Sequence, residues 1–329
     1  MSNDRKLTIA IPTYNRIKEL RRTLTNLIPQ LDDRCYLMIL DNNSDNKVEN
    51  EISDITELLS KESYVVIRNR VNIGADPNVF RCFELCETKW LWTLSDDDEV
   101  LPNAVKTIFQ TIEEYPDMLS VNFYSPHDLH PIRKQAKTYF GVKGLLQSVD
   151  SFGAAIFMST NIYNMSQIDS FYEANHMVYS CASQWAILFF NIDDNKYVVK
   201  SDKEIVKNIY TSNKYSAANL NVISGFITFL NIRTTKEQRK QIIKMLLSVD
   251  KGWISYQSLI KLLFFEFARS GGKNEIRFHL SRYFWGLYRF GTIKNIFLYI
   301  LFYILSFFPS MTYRCLRRLV LARNPLLEF

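Results

Sequence analysis

The sequence predicts an α/β protein, a mostly parallel sheet flanked by helices, followed by an α-helical C-terminal region. Three observations predict it. Apolar, β-rich runs alternate with stretches at helical spacing over residues 7–124, as in sheets whose strands are joined by crossover helices. Polar clusters close three of those runs, at Thr13-Tyr14-Asn15, Asp41-Asn42-Asn43 and Asp96-Asp97-Asp98. From Leu220 onward the pattern reads helical, after a polar linker at Thr211–Asn219, so the chain divides into residues 1–210 and 211–329.

The elements follow in order. Leu7–Ile11 is a short apolar strand ending at Pro12, and Ile17, Leu20, Leu24, Leu27 and Leu31 then fall on one helical face. Cys35–Leu40 is a second buried strand, followed by a polar helix over Val48–Ser60 and a third strand at Tyr64–Ile67. Pro77–Glu87 reads as a helix, Trp90–Leu94 as a fourth strand, Pro102–Glu114 as a helix and Leu119–Tyr124 as a fifth strand. Val121–Gly144 is loop-rich and expected to cover a site. Ser183–Asn191 reads as a buried helix leading to strands near Tyr197–Lys200 and Glu204–Ile209. In sheets of this kind ligands sit beyond the carboxyl ends of the strands, where the three polar clusters fall.

Composition narrows the class. The 329 residues are 47% apolar and 14% aromatic, which excludes a disordered chain. The five cysteines are irregularly spaced without a CxxC pair, and read as free thiols in a reducing compartment. The N-terminus is too short and too charged for a secretory signal, so a cytoplasmic location is expected.

Charge concentrates at the other end. Residues 251–329 hold twelve Lys or Arg against three Glu, whereas the whole chain is only +6. The same region contains a 13-residue uncharged run, Ile296–Phe308, shorter than the roughly 20 residues a membrane crossing needs. Flanking Arg and Lys suit anionic headgroups, and dense Tyr, Trp and Phe suit a water–lipid boundary. The tail is therefore expected to lie in a membrane interface without crossing it. A helical appendage packed on itself or on a partner subunit is the alternative. Nucleic acid is not an expected partner, because the basic residues carry aliphatic bulk and no recognised motif.

Three adjacent carboxylates repel unless a cation neutralises them, and hard ions such as Mg²⁺ and Mn²⁺ favour carboxylate oxygens while leaving positions for phosphate. Other nucleotide chemistries lack their marks: no GxGxxG follows the first strand, no GxxxxGK[ST] occurs, and no GxSxG appears for an esterase.

Ile9-Ala-Ile-Pro-Thr-Tyr-Asn15-Arg16, Leu40-Asp-Asn-Asn-Ser-Asp45, Arg68-Asn-Arg-Val-Asn72-Ile-Gly74 and Leu94-Ser-Asp-Asp-Asp98 occur in this order. As a set they resemble glycosyltransferase family 2, nucleotide-sugar transferases of GT-A (Rossmann-like) fold, over about residues 5–210. The resemblance implies a nucleotide-diphosphate sugar donor, a Mn²⁺ or Mg²⁺ ion and transfer to an acceptor hydroxyl. It implies a nucleotide-sugar set of Pro12, Thr13, Tyr14, Asn15, Asp41, Asn43, Arg68, Asn72 and Asp96. Asp97 falls on the usual metal ligand, and Asp98 is a helper on metal or ribose and a catalytic candidate. Ser95 replaces the first carboxylate of the family's motif.

A second departure concerns the general base. Where the family places Glu-Asp before a buried helix, this chain reads Cys181-Ala182-Ser183-Gln184-Trp185. Neither Ser183 nor Gln184 takes a proton at neutral pH, and a positioned base is worth roughly 10²–10⁴-fold. His176 is the nearest titratable candidate; His127 and His130 lie in a Pro-flanked loop. The resemblance further implies a polyprenyl-diphosphate-linked saccharide acceptor in bacterial surface polysaccharide (O-antigen) synthesis, on the cytoplasmic face of the inner membrane. Two alternatives stand beside it: a transferase on a soluble or protein acceptor with an oligomerising tail, and a non-catalytic nucleotide-sugar-binding scaffold.

Overall fold

The computed structural model describes residues 5–125, 135–149, 152–207, 225, 227–247 and the positions 297, 300, 301, 304, 307, 308, 311 and 314. His127, His130, the linker Thr211–Asn219 and most of the basic tail lie outside the described residues. The chain forms two compact units, Met1–Tyr210 and Thr211–Phe329.

The first unit is built on strands β1 (Leu7–Thr13), β2 (Cys35–Asp41), β3 (Tyr64–Arg68) and β4 (Trp90–Thr93), with β5 (Glu99–Val100), β6 (Ser120–Asn122), β7 (Lys137–Phe140), β8 (Asn161–Asn164), β9 (Tyr197–Lys200) and β10 (Val206–Lys207) following. The helices are α1 (Ile17–Leu27), α2 (Val48–Glu51), α3 (Ser53–Thr56), α4 (Ala75–Glu84), α5 (Ala104–Glu114), α6 (Gly141–Ser148), α7 (Phe152–Ile156), α8 (Tyr172–Asn175) and α9 (Ser183–Asn191). Eight strands form one sheet in the order β3-β2-β1-β4-β8-β6-β9-β7. β1 pairs in parallel with both β2 and β4, and β2 with β3.

These strands are near-continuous apolar runs because helices cover both faces. Leu7, Ile9, Ile11, Leu37, Ile39, Trp92 and Val121 form one core with Leu20, Leu24 and Leu27 of α1 and Ile108 and Phe109 of α5. The same register sets the site. Thr13 stands beside Asp41, and Asp41 beside Arg68, so the polar residues that end each run share one edge.

Three expectations are corrected. The helix over Val48–Ser60 breaks into α2 and α3 at Ile52, whose φ of −119° is not helical; the segment has too few apolar residues for an unbroken stripe. The stretch taken as loop up to Gly144 contains β7 and the start of α6. β8, unforeseen, runs antiparallel between β4 and β6, and β5 and β10 pair as a separate ribbon.

In the second unit, a 3₁₀ turn at Ile227–Asn231 precedes α10 (Lys236–Leu247). Thr235 starts α10 with a reciprocal cap: the Gln238 N–H donates to its hydroxyl at 3.2 Å, and its own N–H donates to Gln238 Oε1 at 2.9 Å. Phe229, Ile242, Met245 and Leu246 are buried. Among the described residues no helix is long and apolar enough to cross a membrane.

Candidate active site

The carboxyl ends of β1, β2, β3 and β4 meet through their turns. Asn15 and Asn43, just past β1 and β2, have φ of 53° and 65°, a left-handed conformation that Asn tolerates better than most residues. They turn the chain so that the ends interlock. The Asn15 N–H donates to Ser44 Oγ at 3.0 Å, and the Asp45 N–H donates to Asn15 Oδ1 at 2.8 Å.

Asp41 is 1% exposed. Its carboxylate accepts from the Ser44 N–H at 2.8 Å and from Arg68 Nη1 at 2.6 Å. Arg68 also donates to Asn43 Oδ1 and to the Ser44 carbonyl, at 3.0 and 2.6 Å, so one guanidinium fastens the whole β2 turn. Asn42 donates to Asn72 Oδ1 at 2.9 Å and to the Gly74 carbonyl at 3.1 Å, and accepts from the Ile73 N–H at 3.0 Å. The Asn72–Gly74 segment is thereby laid against the end of β2. Gly74 has φ of 91°, which glycine adopts freely.

The three acidic residues beyond β4 have different surroundings. Asp96 accepts from Thr13 Oγ1 at 2.7 Å and from Arg16 Nη1 at 3.1 Å. Asp98 accepts from the Ser159 hydroxyl, and the Ser95 N–H donates to Ser159 Oγ at 2.9 Å. Both carboxyls are buried, and that burial is the main reason their proton affinities rise, Asp96 to about 6 and Asp98 to about 7. Asp97 is the open one, its side chain 25% exposed. Its carboxylate takes Arg16 Nη2 on one oxygen and Ser95 Oγ, at 2.6 Å, on the other. Behind the loop, the Thr23 hydroxyl lies 3.0 and 2.9 Å from the Asp96 and Asp98 carbonyls, so α1 holds the acidic turn in shape.

This donor set fits a hard divalent ion. Mg²⁺-type sites commonly use one or two carboxylates and complete their coordination with substrate phosphate and water, and Asp97 offers one carboxylate at the open end of the sheet. Among the described residues no three-residue cluster of acids, His or Cys makes a metal cage. An ion on Asp97 would complete its coordination with phosphate and water, as Mg²⁺-type sites commonly do.

The structure brings Thr13, Asn15, Asp41, Asn43, Arg68, Asn72, Asp96, Asp97 and Asp98 to one edge. Pro12 lies within β1 opposite Leu40, and Tyr14 is exposed beside that edge. The expected base residues are placed differently. Gln184 donates to the Ile156 carbonyl at 2.7 Å, a structural brace. Ser183 Oγ is buried without a hydrogen-bond partner among the described residues. His176 is exposed and packs its ring edge-on against Tyr172. Arg16, Asn42, Ser44 and Ser159 were missed as site residues. The first three sit inside the quoted motifs and were legible there, whereas no local pattern marks Ser159, which reaches Asp98 from 61 residues away.

Comparison with known proteins places this geometry. The model of glycosyl transferase family 2 matches residues 8–184. An uncharacterized glycosyltransferase of Haemophilus influenzae is 31% identical over 121 residues, covering 36% of this chain and 38% of that protein. The chain therefore matches well under half the length of that relative. The crystal structure of S. aureus TarS 1–349 superimposes with a TM-score of 0.56 at 13% identity, covering 88% of each chain. The mannosyltransferase PcManGT from Pyrobaculum calidifontis, in complex with GDP-Man and Mn²⁺, gives 0.53 at 9% identity over 94% of this chain and 86% of that one. The fold is the one these transferases share, GT-A, and the matched region contains every strand end described above. The chain belongs to glycosyl transferase family 2.

Proposed function

We propose that this protein is a glycosyltransferase that moves a sugar from a nucleotide-diphosphate donor to an acceptor hydroxyl, using Mn²⁺ or Mg²⁺. The observation that carries the reading is the acidic turn beyond β4. Two of its carboxyls are buried and tied to Thr13, Arg16 and Ser159, while Asp97 stays open on the side where a donor would lie. Asp97 would hold the ion, whose chemistry is to neutralise the charge developing on the departing diphosphate. The Asp41–Arg68 turn and Asn72 flank the same edge, and their internal hydrogen bonds hold that edge in shape where a nucleobase and ribose would lie. The TarS structure with UDP-GlcNAc and the PcManGT structure with GDP-Man support a nucleotide-sugar donor without choosing the sugar.

The acceptor we assign to a membrane surface, as a polyprenyl-diphosphate-linked saccharide on the cytoplasmic face of a bacterial inner membrane. The described apolar positions of the tail, Phe297, Ile300, Leu301, Ile304, Phe307, Phe308 and Met311, support it, since every one of them is exposed. Arg314 follows them, amid the basic flanks of the tail. Confining enzyme and lipid-linked acceptor to one surface raises their effective concentration.

A thermal-shift panel of UDP-, GDP- and dTDP-sugars, each with and without Mn²⁺, tests the donor half. The reading requires at least one sugar nucleotide to raise Tm in a metal-dependent way, and a flat panel refutes it. Co-sedimentation with anionic vesicles tests the membrane half. The full chain should pellet and a chain ending at residue 290 should not, whereas equal behaviour removes the interfacial tail.

A further inference from the structure

In the transferase reading the acceptor hydroxyl still needs a base; Ser183 and Gln184 take no proton at neutral pH, and His176 lies exposed against Tyr172. A carboxylate stands beside the turn that precedes α9. Asp76 lies in the first turn of α4, two residues past Gly74, and α4 packs against both the 3₁₀ turn Val178–Ser180 and α9. Cys181 lies against the Asp76 carboxyl, its backbone and side chain both favouring the charged form. Cys181 itself is held at φ 59°, a costly conformation for a residue other than glycine, of a kind that concentrates at functional sites.

Hydrogen bonds fasten the segment before α4 and the head of α9 to the donor edge. On one side, Gly74 donates its N–H to Asn72 Oδ1 at 2.8 Å, and Asn42 at the end of β2 bonds both Asn72 and the Gly74 carbonyl. On the other side, Gln184 in the first turn of α9 holds the Ile156 carbonyl, three residues before Ser159, which bonds Asp98. Asp76 therefore sits where the segment beside the nucleotide edge meets the head of α9. Two residues beyond Cys181, Ser183 Oγ is buried with no hydrogen-bond partner among the described residues, where buried hydroxyls ordinarily find one.

We propose that Asp76 is the general base of the transfer, an assignment that rests on the transferase reading above. Its carboxylate takes the proton of the acceptor hydroxyl as that oxygen forms the bond to the anomeric carbon. The bond from that carbon to the diphosphate oxygen breaks, and the nucleoside diphosphate leaves with the electron pair. The proton on Asp76 then passes to solvent. Burial raises the proton affinity of Asp76 above that of an ordinary aspartate, which makes it a stronger base near neutral pH.

The test uses the full chain, Mn²⁺ and the sugar nucleotide that raises Tm most, with water and octyl glucoside as acceptors and nucleoside diphosphate release as the readout. Asp76→Asn should keep the donor-induced Tm rise and the KM for donor while kcat falls by about 10²-fold or more, the usual worth of a positioned base. Asp76→Glu, which restores a carboxylate one methylene further out, should recover part of that loss. A kcat for Asp76→Asn within about threefold of wild type overturns the assignment, as does a loss of donor binding that accounts for the lost turnover. Should Asp76→Asn fail to fold, Asp76→Glu decides alone: an unchanged kcat there overturns the proposal, because a base displaced by a methylene cannot keep its geometry. A wild-type chain that binds no sugar nucleotide refutes the transferase reading itself, and this assignment with it.

Discussion

Replacing Arg68 by methionine keeps the length of the side chain and removes its guanidinium. Asp41, 1% exposed in the native protein, then loses the donor at 2.6 Å and retains the Ser44 N–H. Removing one partner of a fully buried pair costs about 3–5 kcal/mol, because the remaining charge stays desolvated. Here the Arg68 side chain is 32% exposed, so water reaches the vacated place and the cost drops to about 2 kcal/mol. For a unit of this size each kcal/mol moves Tm by about 2–4 °C, which gives a fall of about 4–8 °C by calorimetry. The Asp41→Asn, Arg68→Met double variant removes the buried charge as well and should recover much of that fall, a non-additivity that identifies a coupled pair. A Tm change below about 2 °C for Arg68→Met alone, or strict additivity in the double variant, would mean the guanidinium is not what holds the β2 turn.

Three further outcomes follow from the same structure. Burial lifts Asp96 to about 6 and Asp98 to about 7, above the roughly 3.9 of an unfolded aspartate. Between those values the folded chain binds more protons than the unfolded one, so stability of the metal-free protein falls as pH rises from about 4 to about 7 and then levels. Asp98→Asn should flatten that slope in a Tm–pH series, and an unchanged slope contradicts the burial argument. Gly74→Ala meets Pro77 at ordinary contact distances, Cδ at 3.6 Å and Cγ at 4.0 Å, so its cost is the backbone strain of φ 91°, about 1–3 kcal/mol by denaturant titration; a neutral substitution would mean the turn relaxes. The Cys35 thiol, pushed up to about 12 by burial, and the fully buried Cys82 thiol, pushed higher still, should resist iodoacetamide until the protein unfolds. Rapid native-state labelling of either counts against the core as drawn.

The parallel half of the sheet was legible because β1, β2 and β4 are buried on both faces and so read as unbroken apolar runs. The placement of the polar residues followed from that alone, since residues that end neighbouring parallel strands share an edge whatever else the chain does. β8 was illegible for the opposite reason. Asn161-Ile-Tyr-Asn164 carries two asparagines with partners distant in sequence: Asn161 Oδ1 accepts from Asn122 Nδ2 at 3.0 Å, and Asn164 Nδ2 donates to the Pro116 carbonyl at 3.4 Å. No period-2 pattern survives such residues. Asp76 was hidden likewise, as an acid at the start of a helix is ordinary and only the packing of α4 against the head of α9 makes it unusual. The tail's basic and aromatic composition is legible in the sequence, while most of that region lies outside the described residues.

The account turns on Asp97 holding a divalent ion together with the donor's diphosphate. Manganese binding followed by electron paramagnetic resonance, with and without the best sugar nucleotide, tests it most directly. The wild-type protein should bind the ion weakly alone and markedly tighter with donor, and Asp97→Ala should abolish the donor-dependent gain while Asp45→Ala, a nearby exposed acid, leaves it intact. Donor-dependent manganese binding that survives Asp97→Ala would contradict the account.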